Sequence, residues 1–204
     1  MDERKYTSNL FDRDNALDEL RHIGKTFGWS DTYLQTLGKS SSSSKLFFQT
    51  IQKNVNEFSL KVQIEEHMVE QSKNRFVLDI KWSVIKNLYG VELKLLPEKG
   101  VNRIKKKIGG QDIEIFEQDF DEQFIIQCNY KGFPMLGFSK RFKTELLKVQ
   151  DVFGELKIGE YSVSYTEELV LAKYYDGSDH LINIIKAMEY LAHDIEKWRP
   201  RVLD

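Results

Sequence analysis

Two neighbouring segments in the first half of the chain alternate between hydrophobic and polar residues. Leu60, Val62 and Ile64 fall on one side of an extended chain, with polar residues between them. Apolar residues occupy every second position again over 76–82, after the turn-forming residues 72–74. A period of two is typical of β-strands with one buried face. The two segments therefore predict a long antiparallel hairpin.

Shorter apolar runs in the rest of the chain predict more strands. They lie at 91–96, 113–116, 123–128, 155–158, 161–165 and 169–174. Several are separated by glycine-containing turns, such as Gly109-Gly110 and Gly159-Glu160. Consecutive strands with helices set between groups of them indicate an α+β fold and not alternating parallel βαβ units. We expect a mainly antiparallel sheet of about six to eight strands packed against helices.

Two segments carry the three- and four-residue repeat of an amphipathic helix. The longer one, 178–198, begins at Ser178 as a suitable N-cap and is stopped by Pro200. Its wide apolar stripe predicts a long C-terminal helix that covers the apolar face of the strands. A shorter repeat over 17–27 predicts a helix near the start of the chain, and Ser139 is predicted to cap another helix.

The segment after Lys45 fits two structures. Its apolar residues Phe47, Ile51, Val55 and Phe58 favour a helix, whereas Leu46-Phe47-Phe48 also fits the start of a strand.

A run of five serines at 40–44 divides the chain. Such a run has nothing to bury and much backbone entropy to lose, which is typical of a flexible linker. The predicted organisation is a helical N-terminal arm at 1–39, a linker at 40–44 and an α+β domain at 45–204.

Composition narrows the class of protein. The 204 residues are 41% hydrophobic and 30% charged, as in ordinary globular domains, and the net charge of −2 does not indicate a polyanion binder by itself. The single Cys128 allows no intramolecular disulfide and no multi-cysteine zinc cluster. No run approaches the roughly 18 apolar residues of a membrane span, and the first residues lack the apolar core of a signal peptide. We expect a cytoplasmic protein that is not an integral membrane protein.

Catalytic and metal-binding motifs are not recognisable. None of the four histidines has a metal-ligand spacing, and no nucleophile elbow, phosphate-binding loop or dinucleotide fingerprint occurs. Glu65 and His67 share one face of a strand, where an exposed polar face is favoured over a metal or acid–base site. Cys128 ends an apolar strand and is expected to be a core residue. We assign no catalytic residue, metal ligand or cofactor.

Charge is unevenly distributed. Residues 81–107 contain eight basic and two acidic residues, whereas 112–122 contain six acids and no base. One interpretation is a basic patch for the phosphates of nucleic acid or anionic lipid. The other, which we favour, is that the two segments are strand neighbours and neutralise each other. The candidate binding residues are Arg103, Lys105, Lys106 and Lys107, helped by Lys140, Arg141 and Lys143.

Residues 116–174 begin with an acidic and aromatic strand entry, Asp119-Phe120-Asp121-Glu122-Gln123-Phe124, followed by a helix containing Leu146-Leu147, more strands and a closing helix. This order resembles the soluble domain of an uncharacterised prokaryotic family whose members are often tethered to membranes. The resemblance implies no activity, because that family has no established catalytic residues. The membrane spans usual in the family are not found in this chain.

Three functions remain open from the sequence. The first is a non-enzymatic protein-interaction or scaffold module of an intracellular assembly, with the N-terminal arm reaching a protein partner. The second is binding of nucleic acid or an anionic surface through 103–107. The third is an enzyme whose site is assembled from residues far apart in sequence, which a deep pocket lined by titratable groups would reveal.

Overall fold

A computed structural model describes most of the chain. The described residues are 13–28, 35–36, 45–55, 58–69, 73–83, 89–98, 113–149, 154–169 and 179–199. They include five helices: α1 Arg13–Thr26, α2 Gln118–Asp121, α3 Gly132–Gly137, α4 Lys140–Leu147 and α5 His180–Lys197. They also include eight strands: β1 Gln35–Thr36, β2 Lys45–Val55, β3 Phe58–Val69, β4 Lys73–Ser83, β5 Leu93–Pro97, β6 Phe124–Cys128, β7 Glu155–Ile158 and β8 Ser162–Leu169.

The described strands form one sheet in the order β1-β2-β3-β4-β8-β7-β5-β6. Every neighbouring pair is antiparallel. The predicted α+β class, with a mainly antiparallel sheet of six to eight strands and a C-terminal helix, is confirmed. Strands β1 to β4 follow each other in space as in sequence, and β4 joins them to β8 in the other half of the sheet.

The predicted hairpin is formed by β3 and β4. Leu60 pairs with Trp82, Val62 with Ile80 and Ile64 with Leu78, and all six side chains are buried. The relative exposure of these side chains is 5% or less, because they form the core-facing side of both strands.

The favoured helix in the segment after Lys45 is wrong. This segment is strand β2, which pairs with β3 from Lys45 to Val55. A spacing of four residues fits both periods, since it is close to one helical turn and is also twice the strand period. The structure shows the alternative, a strand that begins near Leu46.

Two smaller expectations are also corrected. Residues 113–116 are not a regular strand: Ile113 donates one backbone hydrogen bond to Ile126 (2.9 Å), and Phe116 has a positive φ of 62°. The predicted strand at 161–165 is part of β8, which continues to Leu169. Most of the predicted strand at 169–174 lies outside the described residues.

Helix α5 provides much of the core. Its apolar stripe is buried as predicted, and the buried set is Leu181, Ile182, Ile184, Ile185, Ala187, Met188, Leu191, Ala192 and Ile195. The helix contacts β4, β8, α1 and α4, which places it across the apolar face of the sheet. Asp179 is the N-cap residue, without a side-chain capping bond. The predicted cap Ser178 lies outside the described residues.

Helix α1 packs on the same core. Ala16, Leu20 and Ile23 are fully buried, and the helix contacts β2 and α5. Gln35–Thr36, also within the predicted arm, pairs with β2 as strand β1. The described part of the arm is therefore held against the sheet. The serine linker lies outside the described residues, and the boundaries 1–39, 40–44 and 45–204 stay a prediction.

None of the described helices is both long enough and apolar enough to cross a membrane.

Candidate functional site

One face of the sheet carries a row of lysines. The register places Lys61, Lys81, Ser164, Lys157 and Lys94 next to one another across β3, β4, β8, β7 and β5. Each of them alternates along its strand with buried core residues, so this row lies on the face opposite the core, which we call the outer face. With strands about 4.8 Å apart, the row spans about 19 Å. We call it the lysine row.

The next row on the outer face carries the opposite charge. It consists of Gln63, Asp79, Thr166 and Glu155, two residues along each strand from the lysine row. The hydroxyl of Thr166 donates to the carboxylate of Asp79 at 2.7 Å. We call this the acidic row.

Glu155 joins the two rows. Its carboxylate oxygen lies 2.6 Å from Nζ of Lys94 and 3.2 Å from Nζ of Lys157. Burial acts to raise the pKa of Glu155, but the hydrogen bonds and charges of the two lysines outweigh it and leave the pKa below its ordinary value. Lys94 and Lys157 face each other directly, and like charges so placed repel. Glu155 neutralises this repulsion.

An open groove on the outer face is lined by residues at one end of β5, β6 and β7. Its volume is about 430 Å³, and its polar lining is formed by Glu92, Lys94, Gln127, Asn129 and Lys157. The side chain of Asn129 is fixed, since it donates to the carbonyl of Gly90 (2.9 Å) and accepts from the amide of Glu92 (2.8 Å). The groove is broad and shallow, as a docking surface would be.

Cys128 also borders the groove but is a buried core residue, as expected. Burial raises the pKa of its thiol, and Sγ lies 3.3 Å from the carbonyl oxygen of Tyr130. A thiol with a raised pKa is a poor nucleophile at neutral pH.

On the core side, three titratable residues from β8 and the start of α5 come together. Nε2 of His180 lies 2.9 Å and 3.1 Å from the two carboxylate oxygens of Glu167. The hydroxyl of Tyr165 donates to Glu167 and accepts from the amide of Gly154 at 2.8 Å. Burial, followed by the nearby Glu167, raises the pKa of Tyr165 well above its ordinary value. We call these four residues the buried network.

The buried network is closed to solvent. The side chains of Glu167 and His180 are 0% and 1% exposed. The backbone also approaches closely here, because a Cβ on Gly154 would overlap the carbonyl oxygen of Thr166 and lie 2.6 Å from Cβ of Glu167. The network thus ties the start of β7, strand β8 and the first turn of α5 together inside the core.

Sequence reasoning missed this network, although one signal was present. Glu167 is in phase with the apolar residues Val163 and Tyr165 of β8, so its carboxylate had to face the core. A buried acid needs a partner. The partner of Glu167 is supplied by α5, and the pattern of the strands does not predict where α5 packs.

The predicted exposed strand face is wrong for Glu65. This residue is 5% exposed, and the side-chain amide of Gln63 donates to its carboxylate. The side chain of His67 lies outside the described residues. Within the described chain, no group of three or more His, Cys, Asp or Glu residues is arranged to hold a metal.

The predicted basic residues fall into two groups. Arg103, Lys105, Lys106 and Lys107 lie outside the described residues. Lys140 and Arg141 are exposed at the start of α4, where the Arg141 guanidinium lies 6.0 Å from the ring centre of Tyr190. Lys143 is instead paired with Glu117 of the acidic segment.

A second surface surrounds Trp198, at the end of α5. Tyr89, Tyr130, Met135 and Leu136 are 41%, 42%, 45% and 66% exposed, although all are large apolar or aromatic residues. The rings of Tyr130 and Tyr89 meet the largely buried Trp198 edge to face, with ring centres 5.0 and 5.6 Å away.

No protein-family model matches the chain, and no curated protein sequence matches it. Among solved structures, the chain is similar to the crystal structure of the mycobacterial trehalose monomycolate transport factor A, TtfA. The TM-score is 0.48 and the identity 9%, over 90% of this chain and 96% of that one. At these values the likeness carries no argument about function, and the resemblance of residues 116–174 to a membrane-tethered family stays a hypothesis.

Proposed function

We propose that the chain is a non-enzymatic protein-interaction module of a cytoplasmic assembly, and that its partner docks on the outer face of the sheet. The observation that carries the proposal is the pairing of the lysine row with the acidic row beside a shallow groove. Opposite charges arranged in rows give a partner both orientation and register, because a complementary surface fits in one alignment and meets like charges in others.

We propose the outer face as the docking site instead of the N-terminal arm, because part of the arm is packed in the core. Ala16, Leu20 and Ile23 of α1 are part of the core, so a deletion of residues 1–44 would remove buried apolar surface as well as any partner contact. Such a deletion does not separate binding from folding. Exposed charges on the outer face can be changed without this difficulty.

The buried network supports a binding role over an enzyme. It brings three titratable groups together, and they are buried in the core with hydrogen bonds to one another. A catalytic group must reach its substrate. The groove, in contrast, is open, and its lining includes the fixed side chain of Asn129 and the paired Lys94 and Lys157, which suits recognition.

The test uses charge reversal on the outer face. The variant Lys81→Glu/Lys157→Glu changes two exposed lysines of the lysine row, and Lys25→Glu/Lys148→Glu makes the same change of net charge on α1 and at the end of α4. A photo-cross-linking residue at Ser164, between the two changed lysines, identifies the proteins that contact the face in extracts of the native host. We expect cross-linked partners with the wild type and the control, and their loss with the outer-face variant.

Equal cross-linking by the wild type and the outer-face variant would refute docking on this face. Circular dichroism of each variant shows whether the fold is intact. The competing hypothesis, binding of nucleic acid or an anionic surface through Arg103 to Lys107, stays a prediction. Charge reversal of Lys105, Lys106 and Lys107 tests it, because a phosphate-binding patch would lose a salt-sensitive binding signal.

A further inference from the structure

We propose that the surface around α3 is a docking site for an anionic lipid bilayer, separate from the outer face. Its centre consists of Met135 and Leu136, the two exposed apolar residues of α3, and its rim of Lys131, Lys140 and Arg141. We call these five residues the α3 patch. The proposal is independent of the protein-interaction function, because none of its residues belongs to the lysine row or the acidic row.

The exposed apolar residues are held by a rigid base. On the same short helix, Phe133 is fully buried and Pro134 is also buried. The ring of Phe133 meets Trp198 and Phe138 edge to face, with centres 5.3 and 5.6 Å away. Gly137 allows this packing, because a Cβ there would lie 2.7 Å from the Phe133 ring. One side of α3 therefore fixes the helix, while Met135 and Leu136 are left for an external contact.

The charges along the segment that contains α3 have one sign. Residues 130–144 contain four basic residues and no acid. Lys143 is paired with Glu117, which leaves Lys131, Lys140 and Arg141 exposed on either side of α3. Cations beside protruding apolar side chains suit the boundary between anionic headgroups and acyl chains.

The aromatic residues next to the patch fit the same boundary. Tyr130 and Tyr89 are half exposed and packed on Trp198, so each has an apolar support on one side and part of its surface in solvent. Tyr and Trp are favoured at the membrane interface for this combination of an apolar ring and a polar group. A second copy of the chain is a poorer occupant, since two α3 patches in contact would oppose like charges.

The experiment is sedimentation of the full chain with vesicles of phosphatidylcholine alone and of equimolar phosphatidylcholine and phosphatidylglycerol. We expect binding to the anionic vesicles and at least tenfold weaker binding to the neutral ones. A cation near an anionic surface contributes about fivefold to affinity, so Lys131→Glu/Lys140→Glu/Arg141→Glu should lower it by about 100-fold or more. Met135→Ser/Leu136→Ser should lower it about tenfold at the same ionic strength. The matched control Lys25→Glu/Lys81→Glu/Lys157→Glu should keep most of the affinity.

A second measurement does not depend on the stability of these variants. Leu136→Cys can be labelled with the environment-sensitive dye NBD, because Cys128 is buried and has a raised pKa. Its fluorescence should rise on mixing with anionic vesicles, whereas the dye on Lys81→Cys should not respond. Absence of binding to anionic vesicles, or equal loss in the control triple variant, would overturn the proposal. So would full competition by a single-stranded oligonucleotide together with no effect of Met135→Ser/Leu136→Ser, since that result would indicate a general polyanion site.

Discussion

Replacing Tyr165 by Phe should destabilise the fold much more than the loss of one hydroxyl suggests. The hydroxyl of Tyr165 donates to the carboxylate of Glu167 and accepts from the amide of Gly154 inside the core. Tyr165→Phe keeps the ring and its packing but removes one hydrogen-bond partner from the carboxylate of Glu167 and one from the amide of Gly154. A hydrogen bond to a charged group contributes about 1.5–3 kcal/mol, and a buried N–H left unsatisfied costs about 1 kcal/mol or more. We expect a loss of about 2.5–4 kcal/mol in the free energy of unfolding.

Urea unfolding followed by circular dichroism measures this loss. Tyr161→Phe is the matched control, because it removes the same hydroxyl group from a tyrosine that is 60% exposed at the surface. We expect the control to change stability by less than about 0.5 kcal/mol. A loss below about 1 kcal/mol for Tyr165→Phe, with an unchanged dependence on urea, would refute the reasoning. It would mean that water or a neighbouring group replaces the hydroxyl.

Three further changes test other parts of the structure. Ser139 caps α4 through its hydroxyl, so Ser139→Ala should cost about 1 kcal/mol and lower the melting temperature, whereas Ser139→Thr should retain most of the stability. Ile185 is buried at the centre of α5, and Ile185→Asp should leave the chain unfolded; a folded, soluble product would instead identify the stripe of α5 as an interaction surface. The lowered pKa of Glu155 means that its ion pairs stabilise the fold above the ordinary pKa of a glutamate and that this contribution is lost as the pH falls through the lowered value. Glu155→Gln should therefore flatten the acid side of the stability–pH curve, and an unchanged curve would contradict the ion pairs with Lys94 and Lys157.

Local patterns predicted the elements that have one dominant period. Helix α5 and the β3–β4 hairpin were correct because their buried faces repeat at the helical or the strand period over many residues. Strand β2 was assigned to a helix because its four-residue spacing satisfies both periods. Only its long pairing with β3 decides between them, and pairing is a property of two segments.

The candidate site was less predictable for the same reason. The lysine row consists of four lysines and Ser164 from five strands, and a shift of one residue in any strand would move its member of the row to the other face. Lys81 and Lys94 were counted in the basic segment, but nothing in the sequence placed them in one row with Lys61 and Lys157. Nothing in the sequence singled out Met135 and Leu136, since their exposure depends on where Phe133 and Trp198 pack.

The pairing of β4 with β8 has a consequence for folding during synthesis. In the finished sheet Asp79 meets Thr166, 87 residues further along the chain. During synthesis β4 is complete long before β8 leaves the ribosome, so until then it presents the row of amides and carbonyls of an edge strand. Charged outer-face residues such as Asp79 and Lys81 discourage pairing with another chain at this edge. Nascent chains that stall before residue 162 are therefore the form of this protein most exposed to aggregation and most dependent on chaperones.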